Sequence, residues 1–205
     1  MEPKPLLPFP EEFFNMLRVY DEKGAIEFMA KNIDAFDVNA IERDNSDTPL
    51  ICAVCNKDVQ VCIALITTYK ADVNKPNIYG NTPILLACVN MNLNIVDLLL
   101  AHHVDVEKPS NNGYTPLAIA CAYNQLNIAI DLLAHGANPN VGTDSKNPLY
   151  VVCYEGYLPI LIELVKHKID LHQTFGGGET ALTIATKRKK TPIVEFLERQ
   201  FKEEK

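Results

Sequence analysis

The amino-acid sequence predicts an all-α fold, a solenoid of stacked helix-turn-helix units with hairpin-like connecting turns. A Thr-Pro-Leu motif or a close variant begins at Thr48, Thr82, Thr115, Asn147 and Thr180, at spacings of 34, 33, 32 and 33 residues. Two hydrophobic columns repeat with the same period, and a polar stretch separates each unit from the next. A fixed period of this length indicates a repeat architecture, in which neighbouring units bury their apolar faces against one another.

The motif predicts the start of the first helix in each unit. In the second unit the Thr82 hydroxyl can cap the helix, and Pro83 stands at the first helical position, where a missing N–H costs nothing. Ile84, Ala87 and Cys88 then fall on one helical face. Glycine stands two residues before three of the motif threonines and can supply a positive φ, at Gly80, Gly113 and Gly178.

The second helix of each unit follows a short polar break. Its buried face is predicted by an aliphatic residue thirteen positions after the motif start and a leucine seventeen positions after it. The first column is Val61, Ile95, Ile128, Ile160 and Ile193, and the second is Leu65, Leu99, Leu132, Leu164 and Leu197. Two independent columns in register make an accidental repeat improbable.

These patterns divide the chain into seven segments. Residues 11–43 have helical apolar spacing without the motif, which is typical of a divergent terminal unit. The predicted segments are a Pro-rich N-terminal segment (1–10), a divergent N-terminal capping unit (11–43), four repeats (44–77, 78–110, 111–142 and 143–175) and a C-terminal capping repeat (176–205).

Composition narrows the function classes. The chain has 205 residues, of which 47% are hydrophobic, and a formal net charge of -7, which disfavours a general phosphate-binding surface. We therefore expect no nucleic-acid partner. The sequence shows neither a membrane-length apolar run nor the pattern of a signal peptide, so we expect a cytoplasmic protein without membrane contact. Five of the six cysteines lie in apolar, helix-like runs and are predicted to be reduced and buried: Cys52, Cys62, Cys88, Cys121 and Cys153.

From about residue 40 to residue 201 the chain resembles the ankyrin-repeat family. The resemblance rests on the period, the Thr-Pro-Leu signature and the closing stretches "KADVN", "HHVDVE" and "HGANPN". The family commonly places a histidine directly after Thr-Pro-Leu. Here its place is taken by Ile51, Leu85, Ala118, Tyr150 and Thr183, so any bond that it makes to the neighbouring turn is absent or is supplied by other groups.

The resemblance implies a non-catalytic module that binds a protein partner on a concave face formed by turn tips and first helices. The implied tip positions lie four, three and one residues before the motif threonine, and the helix positions lie seven and eight after it. The predicted partner-binding residues are Ile78, Tyr79, Asn81, Val89, Asn112, Tyr114, Tyr123, Lys146, Tyr154 and Glu155. Tyrosine is enriched among residues that dominate interface energies, so we expect the four tyrosines to form the central contacts. The alternative is that each ring packs on the next turn and serves stability alone.

Other candidate sites are weaker. Cys52-x-x-Cys55 has no second pair at zinc-site spacing and falls within a predicted helix, which favours helix packing over a metal site. The glycines of "FGGGET" lack the Lys-Ser/Thr of a P-loop, and no Gly-x-Ser-x-Gly nucleophile motif is present. We therefore expect no catalytic residues, no cofactor and no metal, and a chain that is monomeric on its own.

The sequence leaves several alternatives open. The basic run Lys187–Lys190 is either the solvated turn of a terminal cap or a nuclear-import signal, and in the second case the chain is a nuclear regulator, such as a transcription-factor or cell-cycle inhibitor. A pathogen effector with the same binding mode is a further alternative. The resemblance also raises hydroxylation of the loop asparagines Asn74 and Asn140.

Overall fold

A computed structural model describes residues 7–8, 11–32, 36–42 and 45–203. These residues form two compact units. The first unit takes in the described residues up to Asp105 together with Ser110–Asn112, and the second takes in Val106–Pro109 and the described residues from Gly113 onward. Of the predicted Pro-rich segment 1–10, all but Leu7 and Pro8 lie outside the described residues. The segment boundaries given above stay a prediction.

Each unit is built mainly of helix pairs, which confirms the predicted fold class. The first unit contains α1 (Glu11–Arg18), α2 (Glu22–Lys31), α3 (Pro49–Asn56), α4 (Val59–Ile63, continued by a π-helical turn over Ala64–Thr68), α5 (Pro83–Val89) and α6 (Leu93–Leu100). The second unit contains α7 (Pro116–Ala122), α8 (Leu126–Ala134), α9 (Pro148–Glu155), α10 (Leu158–Lys166), α11 (Ala181–Lys187) and α12 (Thr191–Glu203).

Short strands and turns connect the helices. In the first unit β1 (Leu7–Pro8) pairs in parallel with β2 (Phe36–Asp37). In the second unit β3 (Thr174–Phe175) and β4 (Glu179–Thr180) form an antiparallel hairpin across the turn Gly176–Gly178. A 3₁₀ turn covers Asp144–Lys146. The β3–β4 hairpin agrees with the predicted form of the connecting turns.

Within each unit the pairs stack in sequence order. First helices pack on first helices, α1 on α3 on α5 and α7 on α9 on α11, while second helices pack as α2 on α4 on α6 and α8 on α10. All ten residues of the two periodic columns are buried. Because burying a Val, Leu or Ile side chain stabilises a fold by roughly 1.5–3 kcal/mol, these columns are the main support of the stack.

The motif threonines cap the first helices as predicted. The hydroxyls of Thr48, Thr82 and Thr115 accept hydrogen bonds from backbone N–H groups three residues later, at 3.2, 3.4 and 3.2 Å. Asn147 caps α9 through its Oδ1, which accepts from the N–H of Leu149 at 2.8 Å. The substitution of asparagine for threonine therefore keeps the cap, and each first helix has a fixed start.

A left-handed residue ends the second helix of most pairs. Lys70, His103, Gly136 and Lys168 have φ values of 58°, 57°, 92° and 61°. This conformation lets the backbone turn back toward the next unit, as in helix termini that carry glycine. In the hairpin tips the predicted positive φ is confirmed, for example at Gly80 with 73°.

Side-chain hydrogen bonds link the loops of successive pairs. In the first unit Asn39 Oδ1 accepts from the N–H of Asp72, and Asn74 Oδ1 accepts from the N–H of Asp105, both at 2.8 Å. In the second unit Glu107 Oε1 accepts from the N–H of Asn138 at 2.6 Å, and Asn140 Oδ1 accepts from the N–H of Asp170 at 2.8 Å. Hydroxylation of Asn74 and Asn140 stays a prediction.

The cysteines divide into two groups. Cys62, Cys88, Cys121 and Cys153 are buried as predicted, and burial raises the pKa of their thiols, to about 12 for Cys88. The prediction that Cys52 is buried is wrong, because this residue is only partly buried although it lies in α3. Its neighbour Cys55 is exposed. The buried thiols therefore serve as small apolar core groups. Cys52 and Cys55 in α3 are accessible and do not share this role.

Candidate functional site

The predicted binding residues of the first unit lie at a hairpin tip and on α5. Ile78 and Tyr79 expose 51% and 53% of their surface, and Val89, the last residue of α5, exposes 38%. Asn112 is also exposed, whereas Asn81 is half-buried. Three of the predicted contact residues on this unit therefore present accessible apolar side chains.

Backbone hydrogen bonds hold this tip in place. The N–H of Asn111 donates to the Tyr79 carbonyl at 3.0 Å, and its side-chain amide donates to the Ile78 carbonyl at 2.9 Å. On the other side the N–H of Ile78 donates to the Asn45 carbonyl at 3.2 Å. These bonds join neighbouring turns without the histidine that is absent after the motif. The tip is thus a fixed platform for Ile78 and Tyr79.

In the second unit the predicted tyrosines differ in exposure. Tyr123 caps the C-terminus of α7 and exposes 51% of its surface. Tyr114 is half-buried, and the Lys146 ammonium nitrogen lies 5.7 Å from the centre of its ring. That distance is within the range of a cation–π contact. Tyr114 and Lys146 therefore support each other, while Tyr123 is accessible.

Tyr154 lies between two neighbours. Its ring stacks on Tyr150 with centroids 5.8 Å apart and planes at 16°. The guanidinium carbon of Arg188 lies 3.8 Å from the centre of the same ring. Tyr150 in turn meets the edge of the Phe175 ring at 5.4 Å and 79°. Tyr154 is consequently part of an ordered aromatic cluster, and its surface is only partly accessible.

Tyr150 and Tyr154 of this cluster line an open cavity on the second unit. The cavity has a volume of about 350 Å³. It is lined by Ala122, Ser145, Tyr150, Val151, Tyr154 and Glu155. Ligand pockets occupy roughly 300–1,000 Å³, so this cavity has room for one large side chain. Two aromatic rings and a valine supply its apolar lining, and the exposed Glu155 supplies a carboxylate.

The structure brings together only some of the predicted site residues. Tyr154 and Glu155 line the cavity, and Tyr123 directly follows the lining residue Ala122. Tyr150 was not among the predicted site residues. Its spacing of four from Tyr154 on one predicted helix was the available signal, because residues at that spacing meet on a helix surface.

Comparison with known proteins identifies the repeats. Residues 50–143 match the family model of ankyrin repeats, in three copies. These residues are ankyrin repeats. No curated protein sequence shows significant similarity to the chain. The cavity residues from Ser145 to Glu155 lie beyond the matched segment, although α9 begins with the same kind of capped Pro helix as α3, α5 and α7.

None of the described helices combines the length and the apolar character needed to span a bilayer.

Proposed function

We propose that this chain is a non-catalytic binding module that holds a protein partner against the tips and first helices of its second unit. The observation that carries the proposal is the aromatic cavity on α9 beside the exposed Tyr123. Ankyrin repeats are protein-interaction modules, so the repeats at residues 50–143 support the same class of function. Adaptor, inhibitor and assembly factor are all compatible with this mode of binding.

Binding would depend on one partner side chain that fills the cavity and on the rigid aromatic side chains beside it. Tyrosine offers a large contact area with few rotatable bonds, and truncation of such an interface residue can cost about 2 kcal/mol or more. A partner side chain placed in the cavity would contact Tyr150 and Val151, while Tyr123 would contact the adjoining surface. Ile78 and Tyr79 are proposed as a second contact, on the first unit. A stable complex would bury about 1,200–2,000 Å² in total.

A capture experiment with variants tests the proposal. The full chain, a Tyr123→Ala variant and a Tyr114→Ala/Tyr123→Ala double variant serve as bait, with Tyr69→Ala as a control on the second-helix side of the first unit. We expect a set of partners that wild type and control retain and that both cavity-side variants lose. Melting temperatures are measured in parallel, because Tyr123 is half exposed and its truncation should change stability little. Retention of all partners by the double variant, or a large loss of stability with unchanged binding, would refute the proposal.

A second function, nuclear regulation, depends on the basic run Lys187–Lys190. Three of these side chains contact the fold. Lys187 pairs with Glu179 at 2.6 Å, Arg188 lies over the Tyr154 ring, and the Lys190 side chain lies against Gly156. These contacts favour a role in closing the last helix pair. We therefore propose that the run is structural, and that neutralising it leaves the distribution of a tagged chain in cells unchanged. Loss of nuclear signal on neutralisation would instead favour the regulator.

A further inference from the structure

Two carboxylates and a thiol converge in the first unit, away from the aromatic cavity. Each of Glu42, Asp47 and Cys52 offers one ligand atom, and these three atoms lie within 4.8 Å of one another. Within the described part of the chain, no other three Cys, His, Asp or Glu side chains converge in this way. The convergence is a product of the fold, since the three residues are spread over eleven positions of the sequence.

The backbone fixes the positions of all three groups. The N–H of Glu42 donates to the Asp47 carbonyl at 2.9 Å, which holds Glu42 beside the start of α3. Asp47 directly precedes the capping residue Thr48, so its side chain stands at the start of α3. Cys52 follows one turn into that helix. Cys55 lies three residues further along, on the same side of the helix, and lines the same cavity of about 160 Å³.

Arg18 neutralises Glu42 at this cavity, so a metal ion that binds Glu42 has to replace the guanidinium. The Glu42 side chain is only 10% exposed and forms an ion pair with Arg18. Arg18 also pairs with Glu11, at 2.7 Å, and donates to Asn15 at 2.8 Å. Arg18 can therefore release Glu42 and keep two other partners. Without Arg18 the cavity carries two carboxylates close together, an arrangement that a divalent cation would stabilise.

We propose that Glu42, Asp47 and Cys52 bind a zinc ion, with Cys55 as the fourth ligand after rotation of its side chain. Zinc accepts sulfur and carboxylate ligands together, whereas Ca²⁺ and Mg²⁺ take oxygen ligands and Cu(I) selects sulfur. Zn–O bonds of about 2.0–2.2 Å and Zn–S bonds of about 2.3 Å place tetrahedral ligand atoms roughly 3.3–3.8 Å apart. The three atoms therefore need to approach by about 1 Å, which side-chain rotation allows. Each coordinating thiol releases its proton to water as the S–Zn bond forms.

Cobalt(II) is a direct spectroscopic probe of this site. The full, reduced chain is titrated with Co²⁺ and then with Zn²⁺. We expect one equivalent of Co²⁺ to bind with a thiolate-to-cobalt charge-transfer band, which Zn²⁺ abolishes by displacement. Zinc should also slow alkylation of Cys52 and Cys55.

Variants separate this site from adventitious binding. Cys52→Ser should abolish the charge-transfer band or strongly reduce it, and Asp47→Asn should weaken zinc binding by about tenfold or more. Asp47→Asn keeps the oxygen that accepts from the Asn77 amide at 2.8 Å, so we expect this variant to fold. Glu27→Gln, the same charge change at an exposed position of this unit, should bind zinc as wild type does. Far-UV circular dichroism verifies folding of every variant. Absence of the band in wild type, or equal zinc affinity in wild type and the folded Asp47→Asn variant, would overturn the proposal.

Discussion

In the second unit the left-handed position that ends the second helix is glycine in one pair and lysine in the next, and this difference yields a quantitative prediction. In the second unit Gly136 has φ 92° and Lys168 has φ 61°. The backbone is bonded alike at both sites. The N–H of Gly136 donates to the Leu133 carbonyl at 3.1 Å, and the N–H of Lys168 donates to the Val165 carbonyl at 3.0 Å. The two positions therefore differ mainly in whether a Cβ is present.

The expected changes follow from opposing terms. A residue with a Cβ costs about 1–2 kcal/mol in the left-handed region, while glycine costs about 0.5–1 kcal/mol through the extra freedom of the unfolded chain. Lys168→Gly should therefore stabilise the fold by about 0.5–1 kcal/mol. Gly136→Ala should destabilise it by a similar amount, because an added Cβ at Gly136 meets no atom within 4 Å and the backbone term acts alone. A change of 1 kcal/mol shifts the melting temperature of a chain of this size by about 2–4 °C.

Urea unfolding followed by circular dichroism measures both variants. Repeat arrays can unfold in steps, so the m-values are compared, and amide exchange in α8 and α10 supplies a local readout. Lys166→Gly is the matched control. It makes the same replacement two residues earlier, within helix α10, and should destabilise by about 1 kcal/mol. If Gly136→Ala has the same free energy of unfolding as wild type, or if Lys168→Gly is less stable than wild type, backbone strain does not govern the stability of this position.

Three further predictions concern a helix cap, the side-chain hydrogen bonds between successive loops, and the buried thiols. Thr115→Ala removes the acceptor of a buried helix start and should cost about 1 kcal/mol in the free energy of unfolding, whereas Thr115→Ser should cost less than half of that, as measured by urea unfolding. Asn140→Ala removes the acceptor of the exposed Asp170 N–H bond and should cost about 0.5–1.5 kcal/mol, with the exposed helix residue Asn127→Ala as a nearly neutral control in the same assay. Burial raises the pKa of Cys88 from its usual value near 9 to about 12, so the folded state retains the proton that the unfolded state loses. The urea midpoint should therefore be unaffected by this thiol below about pH 9 and fall between pH 9 and 12, and a fall as steep in Cys88→Ala as in wild type would contradict this.

The fold could be predicted because each of its determinants is local or periodic. The capping threonine, the following proline and the leucine column recur at one spacing, and stacking requires only that equivalent faces meet. Asn147 shows how far local reasoning extends, since a side chain with an oxygen at the right distance caps α9 as threonine does. Tip glycines could be assigned for the same reason.

The candidate sites were only partly predictable, because they depend on which side chains the stack brings together. Tyr154 was predicted as a surface contact, but Arg188, thirty-four residues later, covers one side of its ring. Cys52 was predicted to be a buried core residue, but it is only partly buried and lies close to Glu42. Neither neighbour is marked by periodicity. Contacts of this kind require coordinates.

The repeat framework determines which positions are committed to the helix caps and to the core. At the motif threonine and in the leucine column each position is fully used by a cap or by the core, so substitution there changes stability first. The first-helix position seven residues after the motif start is held by Tyr154 in one pair and by Ala122 in the pair before it, and both line the cavity. The recess between α7 and α9 forms because Ala122 in α7 is small and Tyr154 in α9 is large. Variation at this position can therefore change the shape of the cavity while the caps and the core columns stay the same.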